Sequence, residues 1–364
     1  EAARRPCLSR RDAKMGRNPT RPPRYPSVLR PDEKDLPMKI FAYALRPYDE
    51  LGYLDALSRE LGFDYDWTPD YPTLENARLA AGADMLSIIT NPMTPELLGT
   101  YRGLGVRGIA TRSIGYDHID LDAARSLGIR VAHAAYPPEG VANYAIMLMM
   151  MALRKVKLVL AQASVQDFSL AGKLGRDISG CTVGVVGTGR IGATVVRHLR
   201  GFGCRVLAFD PCPRDDLAGL ATYVTLDELL ASSDVVTLHA PGLPENHHMI
   251  GAAELARAKR GVVLVNAGRG TLVDTAALVD ALESDQVGAA ALDTIENESS
   301  LYYLDRSRDV LPNRDRAVLS AMPNVIVSPH MAFYTGEDVE GMVRSSTSAL
   351  LAFAAGEETP YEVR

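Results

Sequence analysis

Three positions in the sequence carry groups that could bind an anion or move a proton. Arg269, three acids within residues 293–298, and His330 each come shortly after an apolar run. In an open α/β sheet the carboxyl ends of the strands face the ligand crevice, so these groups would meet there. Arg269 can hold a carboxylate through paired donors, and His330 can donate a proton near neutral pH. Alone, Arg269 could equally form a surface salt bridge, and His330 would more often be a structural histidine. Together the three positions predict a site for hydride transfer to a carbonyl carbon.

A glycine-rich turn follows the apolar run of residues 181–186 and opens a helical pattern. It carries Gly187, Gly189 and Gly192, which would permit a tight turn, the close approach of a pyrophosphate and close helix packing, respectively. Asp210 ends the next predicted strand, 23 residues after Gly187. Its carboxylate can accept hydrogen bonds from ribose hydroxyls and repel a 2′-phosphate, so the sequence favours NAD over NADP as the cofactor.

From Met38 onward, short apolar runs alternate with amphipathic stretches, a pattern typical of parallel sheets covered by helices. Two such series occur, and one helical pattern is left over near the end of the chain. We predict an α/β fold with two doubly wound parallel-sheet domains. A flavodoxin-like substrate domain of residues 38–137 and 331–364 is discontinuous, because a Rossmann NAD-binding domain of residues 138–330 is inserted into it. Residues 1–37 are rich in Arg and Pro and predict a disordered tail.

Composition and charge exclude several classes of protein. The 364 residues carry a net charge of −6, but beyond residue 37 the chain holds 29 basic and 40 acidic groups, which argues against a nucleic-acid partner. The four cysteines lack metal-ligand spacing, so we predict no metal. A helix is predicted from Val141 to Leu160, and its apolar part is too short to span a membrane. The sequence lacks a secretory signal pattern, which predicts a cytoplasmic protein.

At these motifs the sequence resembles the D-isomer-specific 2-hydroxyacid dehydrogenases, over nearly all of residues 38–364. The resemblance runs through three collinear blocks, residues 184–192, 265–274 and 324–330. Within the family, the sequence is most similar to the D-lactate dehydrogenases of vancomycin-resistance gene clusters. That closer similarity lies in four segments: residues 111–120, 200–204, 322–326 and 330–335.

The resemblance implies an enzyme that uses NADH to reduce pyruvate, or another 2-oxo acid, to the D-2-hydroxy acid. Arg269 would bind the 2-oxo acid, and His330 would be the acid/base, paired with Glu298 and not with Glu296. The expected substrate contacts are the backbone amides of Ile114 and Gly115 and the side chains of Tyr136 and Phe333. The expected cofactor contacts are at Gly187, Gly189, Arg190, Ile191, Gly192, Asp210, His239, Ala240, Pro241, Ala267, Gly268, Arg269, Asp293 and His330.

The resemblance also implies a cellular role and an assembly. In resistance clusters a ligase joins D-lactate to D-alanine, and the resulting cell-wall terminus binds vancomycin poorly. Members of the family are usually dimers joined through the long helix and arm of the cofactor domain. In this chain that region spans about residues 141–180, so we expect a homodimer.

Two departures from the relatives leave alternatives open. Resistance-type relatives often carry Ser and Arg after the second cofactor strand and accept NADPH, whereas this chain has Asp210 there. Arg214 follows four residues later and could weaken the preference for NADH. Asn246 stands where the family often has Thr, and the adjoining His247 and His248 are expected to face solvent. The substrate could be a larger 2-oxo acid that yields a product such as D-2-hydroxyisocaproate. A non-catalytic, NAD-sensing binding protein is the alternative from a different class.

Overall fold

The structure is a computed structural model that describes residues 38–298, 301, 303–311 and 313–363, so the predicted tail of residues 1–37 lies outside it. The described chain forms two parallel β-sheets, of five and seven strands, with helices on their faces. The predicted α/β class with two parallel-sheet domains is therefore confirmed. No helix within these ranges is long and apolar enough to cross a membrane.

The five-stranded sheet comes from the first part of the chain. Its strands are β1 Lys39–Ala42, β2 Asp64–Trp67, β3 Met85–Ile88, β4 Gly108–Thr111 and β5 Arg130–His133, in the order β2-β1-β3-β4-β5. The helices between them are α1 Leu51–Leu61, α2 Pro95–Gly103 and α3 Leu121–Ser126. Strands β3 and β4 are buried along their whole length, because helices cover both faces of a parallel sheet.

The seven-stranded sheet follows two helices, α4 Glu139–Leu153 and α5 Val156–Ser164. Its strands are β6 Thr182–Val186, β7 Arg205–Phe209, β8 Thr222–Tyr223, β9 Val235–Leu238, β10 Val262–Asn266, β11 Val287–Leu292 and β12 Val325–Val327. The helices between them are α6 Arg190–Leu199, α7 Leu226–Ser232, α8 Ala252–Arg257, α9 Thr275–Glu283 and α10 Arg314–Ala321. In the order β12-β11-β10-β9-β6-β7-β8, the direction of winding reverses between β6 and β9. Sheets of this kind bind dinucleotides at such a switch point.

The single helix predicted from Val141 to Leu160 is wrong, because the chain breaks at Lys155. This residue has φ +51°, in the left-handed region that interrupts a helix, and it separates α4 from α5. The Nζ atom of Lys157 then donates to three carbonyl oxygens within residues 320–325, at 2.6 to 2.8 Å. These bonds fix α5 beside the end of α10. No Pro or Gly marks the break, so the sequence pattern gave no signal for it.

The last helix, α11 Gly336–Ala354, brings the chain back to the five-stranded sheet. Leu350 and Phe353 pack in one core with Met85 and other residues of that sheet. The chain therefore passes between the two sheets twice, first between β5 and α4 and again between β12 and α11. We predict the domain boundaries in these two crossings, at residues 137 and 330.

Candidate active site

His330 and Glu298 form a close pair in the segments that follow β12 and β11. The Nδ1 atom of His330 lies 2.7 Å from Oε1 of Glu298. The other carboxylate oxygen of Glu298 accepts a hydrogen bond from the Ile295 N–H at 2.8 Å. The side chains are 25% and 19% exposed, so the pair is open to a ligand on one side. Because Nδ1 is engaged, Nε2 is the ring nitrogen that can exchange a proton with that ligand.

The turn that presents His330 is built around the buried carboxylate of Asp293. Its oxygens accept hydrogen bonds from the Ser328 hydroxyl at 2.6 Å and from the N–H groups of Met331 and Ala332 at 2.9 Å. The Asp293 carbonyl oxygen accepts from the His330 N–H at 2.9 Å. These bonds hold His330 at φ +55°, a conformation that non-glycine residues rarely adopt. Asp293, predicted to contact the cofactor, thus also fixes the backbone that positions the histidine.

Arg269 extends from the end of β10 toward the five-stranded sheet. Its backbone is held by the Asn266 side-chain amide, which donates to the Arg269 carbonyl oxygen at 2.8 Å. Its Nη1 atom donates to the Gly268 carbonyl oxygen at 3.0 Å, and its Nε atom lies 3.4 Å from Oδ1 of Asp117. A Cβ atom at Gly115 would overlap Nη2 of Arg269. The guanidinium therefore lies directly on the backbone of the loop between β4 and α3.

The other predicted substrate residues surround this meeting point. Within the described ranges, the N–H groups of Ile114 and Gly115 have no protein acceptor. Phe333 is 8% exposed, and its ring stands edge-on to the His330 ring with centroids 6.2 Å apart. Burial raises the pKa of the Tyr136 hydroxyl, which keeps it protonated and able to donate a hydrogen bond.

The glycine turn after β6 has the shape that a pyrophosphate requires. Gly187 has φ +87°, and a Cβ atom there would lie 2.8 Å from the Ala240 nitrogen. A Cβ atom at Gly192 would overlap the Gly187 carbonyl oxygen, whereas Gly189 faces open space. Helix α6 starts at the next residue, so its free N–H groups point toward that space. The remaining predicted cofactor positions lie just after three neighbouring strands of the seven-stranded sheet: Arg190 and Ile191 after β6, His239 and Pro241 after β9, and Ala267 and Gly268 after β10.

Asp210 follows directly after β7, beside this turn. Its Oδ2 atom accepts from the N–H and the hydroxyl of Thr188, at 2.7 and 3.1 Å, and its Oδ1 atom accepts from the Cys212 N–H at 2.8 Å. These bonds fix a carboxylate where this fold binds the adenosine ribose. His239 lies at the end of β9 in contact with Thr237, and burial lowers its pKa to about 4, so the ring is neutral.

The structure places the two neighbouring glutamates in different contacts, and Glu298, which the family resemblance selects, is the one beside His330. Glu298 contacts His330, whereas Glu296 accepts from the N–H and hydroxyl of Thr275 at 3.0 and 2.6 Å. Glu296 also lies 2.7 Å from Nε2 of His248, which is partly buried. The exposed His247 ring stacks on His248 with centroids 3.9 Å apart.

Among the described residues, one group of side chains could hold a metal ion: His247, His248 and Glu296. Each offers one ligand atom, and these three atoms lie within 4.8 Å of one another. The stacked rings are only 27° from parallel, so their nitrogen lone pairs lie in separate planes. One metal ion cannot meet both lone pairs unless a ring rotates.

Two residues of the cleft were missed by the sequence analysis. The Tyr303 hydroxyl donates to the His330 carbonyl oxygen at 3.3 Å, and its ring stands edge-on to Phe333 with centroids 6.0 Å apart. Asp117 faces Arg269 across the cleft. Tyr303 belongs to no motif. Asp117 lies within a segment that carries the family resemblance, but nothing in its spacing indicates a partner 152 residues away.

Known proteins share both the sequence and the fold of this chain. A family model described as the NAD-binding domain of D-isomer specific 2-hydroxyacid dehydrogenases matches residues 146–332. A D-specific alpha-keto acid dehydrogenase of Enterococcus faecalis is 43% identical over 300 residues, which cover 82% of this chain and 90% of the relative. A D-lactate dehydrogenase of Escherichia coli is 37% identical over 333 residues, which cover 90% and 100%.

Solved structures agree with these relatives. A D-2-hydroxyisocaproate dehydrogenase superposes with a TM-score of 0.81 at 32% identity, covering 90% of this chain and 99% of the other. A D-isomer specific 2-hydroxyacid dehydrogenase of Lactobacillus delbrueckii ssp. bulgaricus, in its NAD-complexed form, has a TM-score of 0.78 at 29% identity, covering 90% and 100%. The chain therefore belongs to the D-isomer-specific 2-hydroxyacid dehydrogenases and is an NAD-dependent oxidoreductase.

Proposed function

We propose that this dehydrogenase reduces pyruvate to D-lactate and that Arg269, His330 and Glu298 are its catalytic residues. The observation that carries the proposal is the His330–Glu298 pair, 2.7 Å apart, in a chain whose relatives include D-lactate dehydrogenases. Arg269 supplies a cation at the end of the neighbouring strand. A proton donor, its carboxylate partner and an anion-binding cation are the groups that reduction of a 2-oxo acid requires.

Binding of the substrate is the first task of these residues. The Arg269 guanidinium contacts the loop that carries the unpaired N–H groups of Ile114 and Gly115, so a carboxylate bound there can receive donors from both sheets. The protonated Tyr136 hydroxyl offers a further donor. Phe333 packs beside His330 and gives the methyl group of pyruvate an apolar wall.

Proton transfer is the second task. The residues at the glycine turn would hold NADH, whose chemistry when bound is to supply a hydride to the carbonyl carbon of the substrate. His330 donates its Nε2 proton to the carbonyl oxygen as the carbon–oxygen double bond becomes single. Glu298 stabilises the imidazolium and fixes the ring through Nδ1. Pyruvate, NADH and one proton thus give D-lactate and NAD⁺, and His330 recovers its proton from solvent.

The test is NADH oxidation with pyruvate, 2-oxobutyrate, 2-oxoisocaproate and hydroxypyruvate, followed by chiral analysis of the products. We expect the highest kcat/KM with pyruvate and D-lactate as the product. NADPH in a parallel series measures the discrimination attributed to Asp210. Tight NADH binding without turnover of any 2-oxo acid would reject the proposal in favour of an NAD-sensing protein.

A second candidate is a larger 2-oxo acid, with a product such as D-2-hydroxyisocaproate. A cavity of about 520 Å³ is lined by residues that include Tyr303, Phe333 and Tyr334. Tyr303 and Phe333 also contact the His330 ring, so rotation of these rings would connect the cavity with the site. A kcat/KM for 2-oxoisocaproate above that for pyruvate would select this candidate.

We also propose that the protein is a homodimer joined through residues 141–180. This segment exposes large apolar side chains by 63 to 88%: Leu160, Val165, Phe168, Leu170 and Leu174. Several large apolar side chains exposed within one segment are typical of an interface. Light scattering should give twice the mass of one chain, and Leu170→Asp combined with Phe168→Asp should shift the mass toward one chain. A monomeric wild-type protein would reject this assembly.

For the cellular role, we propose a cytoplasmic enzyme whose D-lactate is joined to D-alanine in vancomycin-resistant cell-wall precursors. The similarity of residues 111–120 and 330–335 to resistance-type enzymes supports this role. Mass spectrometry of cell-wall precursors, with and without the gene, should detect termini ending in D-lactate only when the gene and a suitable ligase are present. Unchanged precursors, or activity outside the cytoplasmic fraction, would contradict it.

A further inference from the structure

A series of hydrogen bonds runs behind the loop that faces Arg269. Thr111 ends β4, Ser113 and Gly115 lie in the loop, and His118 lies just before α3. The Nε2 atom of His118 is 3.1 Å from Oγ1 of Thr111, which is 2.7 Å from Oγ of Ser113. The Ser113 hydroxyl donates to the Gly115 carbonyl oxygen at 2.6 Å. The series therefore connects a half-buried histidine with the backbone that contacts Arg269.

The number of available hydrogens fixes the direction of this series. Ser113 has one hydroxyl proton, which goes to Gly115, so the Thr111 hydroxyl must donate to Ser113. The proton of Thr111 is then used, so His118 must donate to Thr111 from Nε2. All three bonds point toward Gly115, and bonds aligned in this way strengthen one another.

His118 suits the first position of the series because its ring is neutral. Burial lowers the pKa of His118 to about 4; Asp117 opposes this shift, and Arg269 adds to it. A neutral ring places no second positive charge beside Arg269. Protonation at low pH would leave the Nε2–H donor in place, so the series does not depend on pH.

The front of the same loop offers donors to the cleft. The N–H groups of Ile114 and Gly115 have no acceptor in the part of the chain that the structure describes. The Ser113 carbonyl oxygen accepts from the Ala134 N–H at 2.9 Å, which anchors the start of the loop beside β5. Successive free N–H groups beside a guanidinium form a concave site for an anion.

We propose that His118, Thr111 and Ser113 are positioning residues that hold this loop in the shape that binds the substrate carboxylate. The Ser113 hydroxyl fixes the Gly115 carbonyl oxygen, and the Ala134 N–H fixes the Ser113 carbonyl oxygen, so both ends of the segment that carries the two N–H groups are held in place. The proposal rests on the proposed reduction of a 2-oxo acid. It adds a requirement for hydroxyl groups at residues that do not touch the substrate.

The decisive variant is Thr111→Val, which keeps the shape of a fully buried side chain and removes its hydroxyl. The dissociation constant of oxamate from the NADH complex, measured by fluorescence, should rise roughly tenfold, and so should KM for pyruvate. The dissociation constant of NADH should not change. Thr111→Ser, which restores the hydroxyl, should rescue oxamate binding to within about twofold of wild type.

A second variant and a control keep the test informative. Ser113→Ala, at a half-buried loop position, removes the middle of the series and should weaken oxamate binding similarly. Ser346→Ala is the matched control, because Ser346 is also buried but its hydroxyl bonds only to carbonyl oxygens of its own helix. Wild-type oxamate affinity in both Thr111→Val and Ser113→Ala would overturn the proposal, as would an equal loss of NADH affinity. A wild-type enzyme that reduces no 2-oxo acid would instead reject the proposed function.

Discussion

The proposed proton donor and the proposed substrate-binding cation are held in different ways. His330, Glu298 and Asp293 follow adjacent strands of the seven-stranded sheet, and the hydrogen bonds among them close on that side of the cleft. Arg269 starts from the same sheet, but its side chain ends on Asp117 and the loop of the other sheet. The proposed proton-transfer pair is therefore complete within one sheet, whereas the proposed substrate-binding site exists only where the two sheets meet.

This difference predicts which kinetic constant each region controls. The Arg269–Asp117 contact is 3.4 Å long and partly exposed, so it contributes little and a substrate carboxylate can replace it. Changes on the proton-donor side should lower kcat and spare cofactor binding. Changes at the meeting of the two sheets should mainly raise KM for the 2-oxo acid.

The largest expected effect is that of His330→Ala. Loss of the proton donor should lower kcat roughly 10³-fold, because a positioned acid contributes about that factor. The dissociation constant of NADH, measured by fluorescence, should stay unchanged, because the glycine turn is untouched. His247→Ala, at an exposed histidine outside the pair, is the control and should keep its activity. Simultaneous loss of NADH binding in His330→Ala would show that the histidine is structural.

Gly115→Ala tests the region where Arg269 meets the loop of the five-stranded sheet. The added methyl group would overlap Nη2 of Arg269, so the guanidinium must move away from the loop. A displacement of about 1 Å at a reacting group can cost roughly 10²-fold, and we expect this factor in KM for pyruvate with a smaller change in kcat. Gly99→Ala is the matched control, because Gly99 lies in α2 and faces open space. A fall in kcat without a rise in KM would contradict the division of roles.

How far the fold could be predicted depended on the burial of each strand. The strands Thr182–Val186, Arg205–Phe209 and Val262–Asn266 coincide with apolar runs in the sequence, because central strands of a parallel sheet are apolar on both faces. No such run marks Asp64–Trp67 or Thr222–Tyr223. Both are edge strands, short and partly exposed, and their polar side chains resemble those of a loop.

For the candidate site, the sequence predicts which residues share one edge of the sheet, but not which side chains form a pair. The strand-end rule predicted that Arg269, an acid and His330 would share one edge, because that placement follows from topology alone. The residues by themselves could not choose between Glu296 and Glu298, since both follow the same strand. The choice depends on a local turn, in which the Ile295 N–H donates to Glu298, and on the packing that brings His330 to Glu298 from 32 residues away.

A buried carboxyl group, that of Asp338, lies where the chain passes between the two sheets. Asp338, in the first turn of α11, is buried, and its Oδ2 atom has no hydrogen-bond partner in the described ranges. Gly140, in the first turn of α4, leaves room for it, because a Cβ atom there would overlap this oxygen. Burial, followed by the nearby carboxylates of Glu337 and Glu139, raises the pKa of Asp338 to about 7.

The smallest expected effect is therefore a pH-dependent change in stability in Asp338→Asn. In the folded protein the Asp338 carboxyl binds its proton more tightly than an ordinary carboxyl of pKa 3.8. Protonation of Asp338 therefore favours the folded state at low pH, and this contribution to the free energy of unfolding is lost as the pH rises through about 7. Asparagine has the same shape without the charge. Thermal melts should show a Tm higher than wild type by a few degrees at pH 8, and a smaller difference at pH 5. Asp122→Asn, at a side chain that is 95% exposed, should leave Tm unchanged at both values. A lower Tm of Asp338→Asn at pH 8 would contradict this prediction. It would mean that the ionised carboxylate stabilises the first turns of α4 and α11.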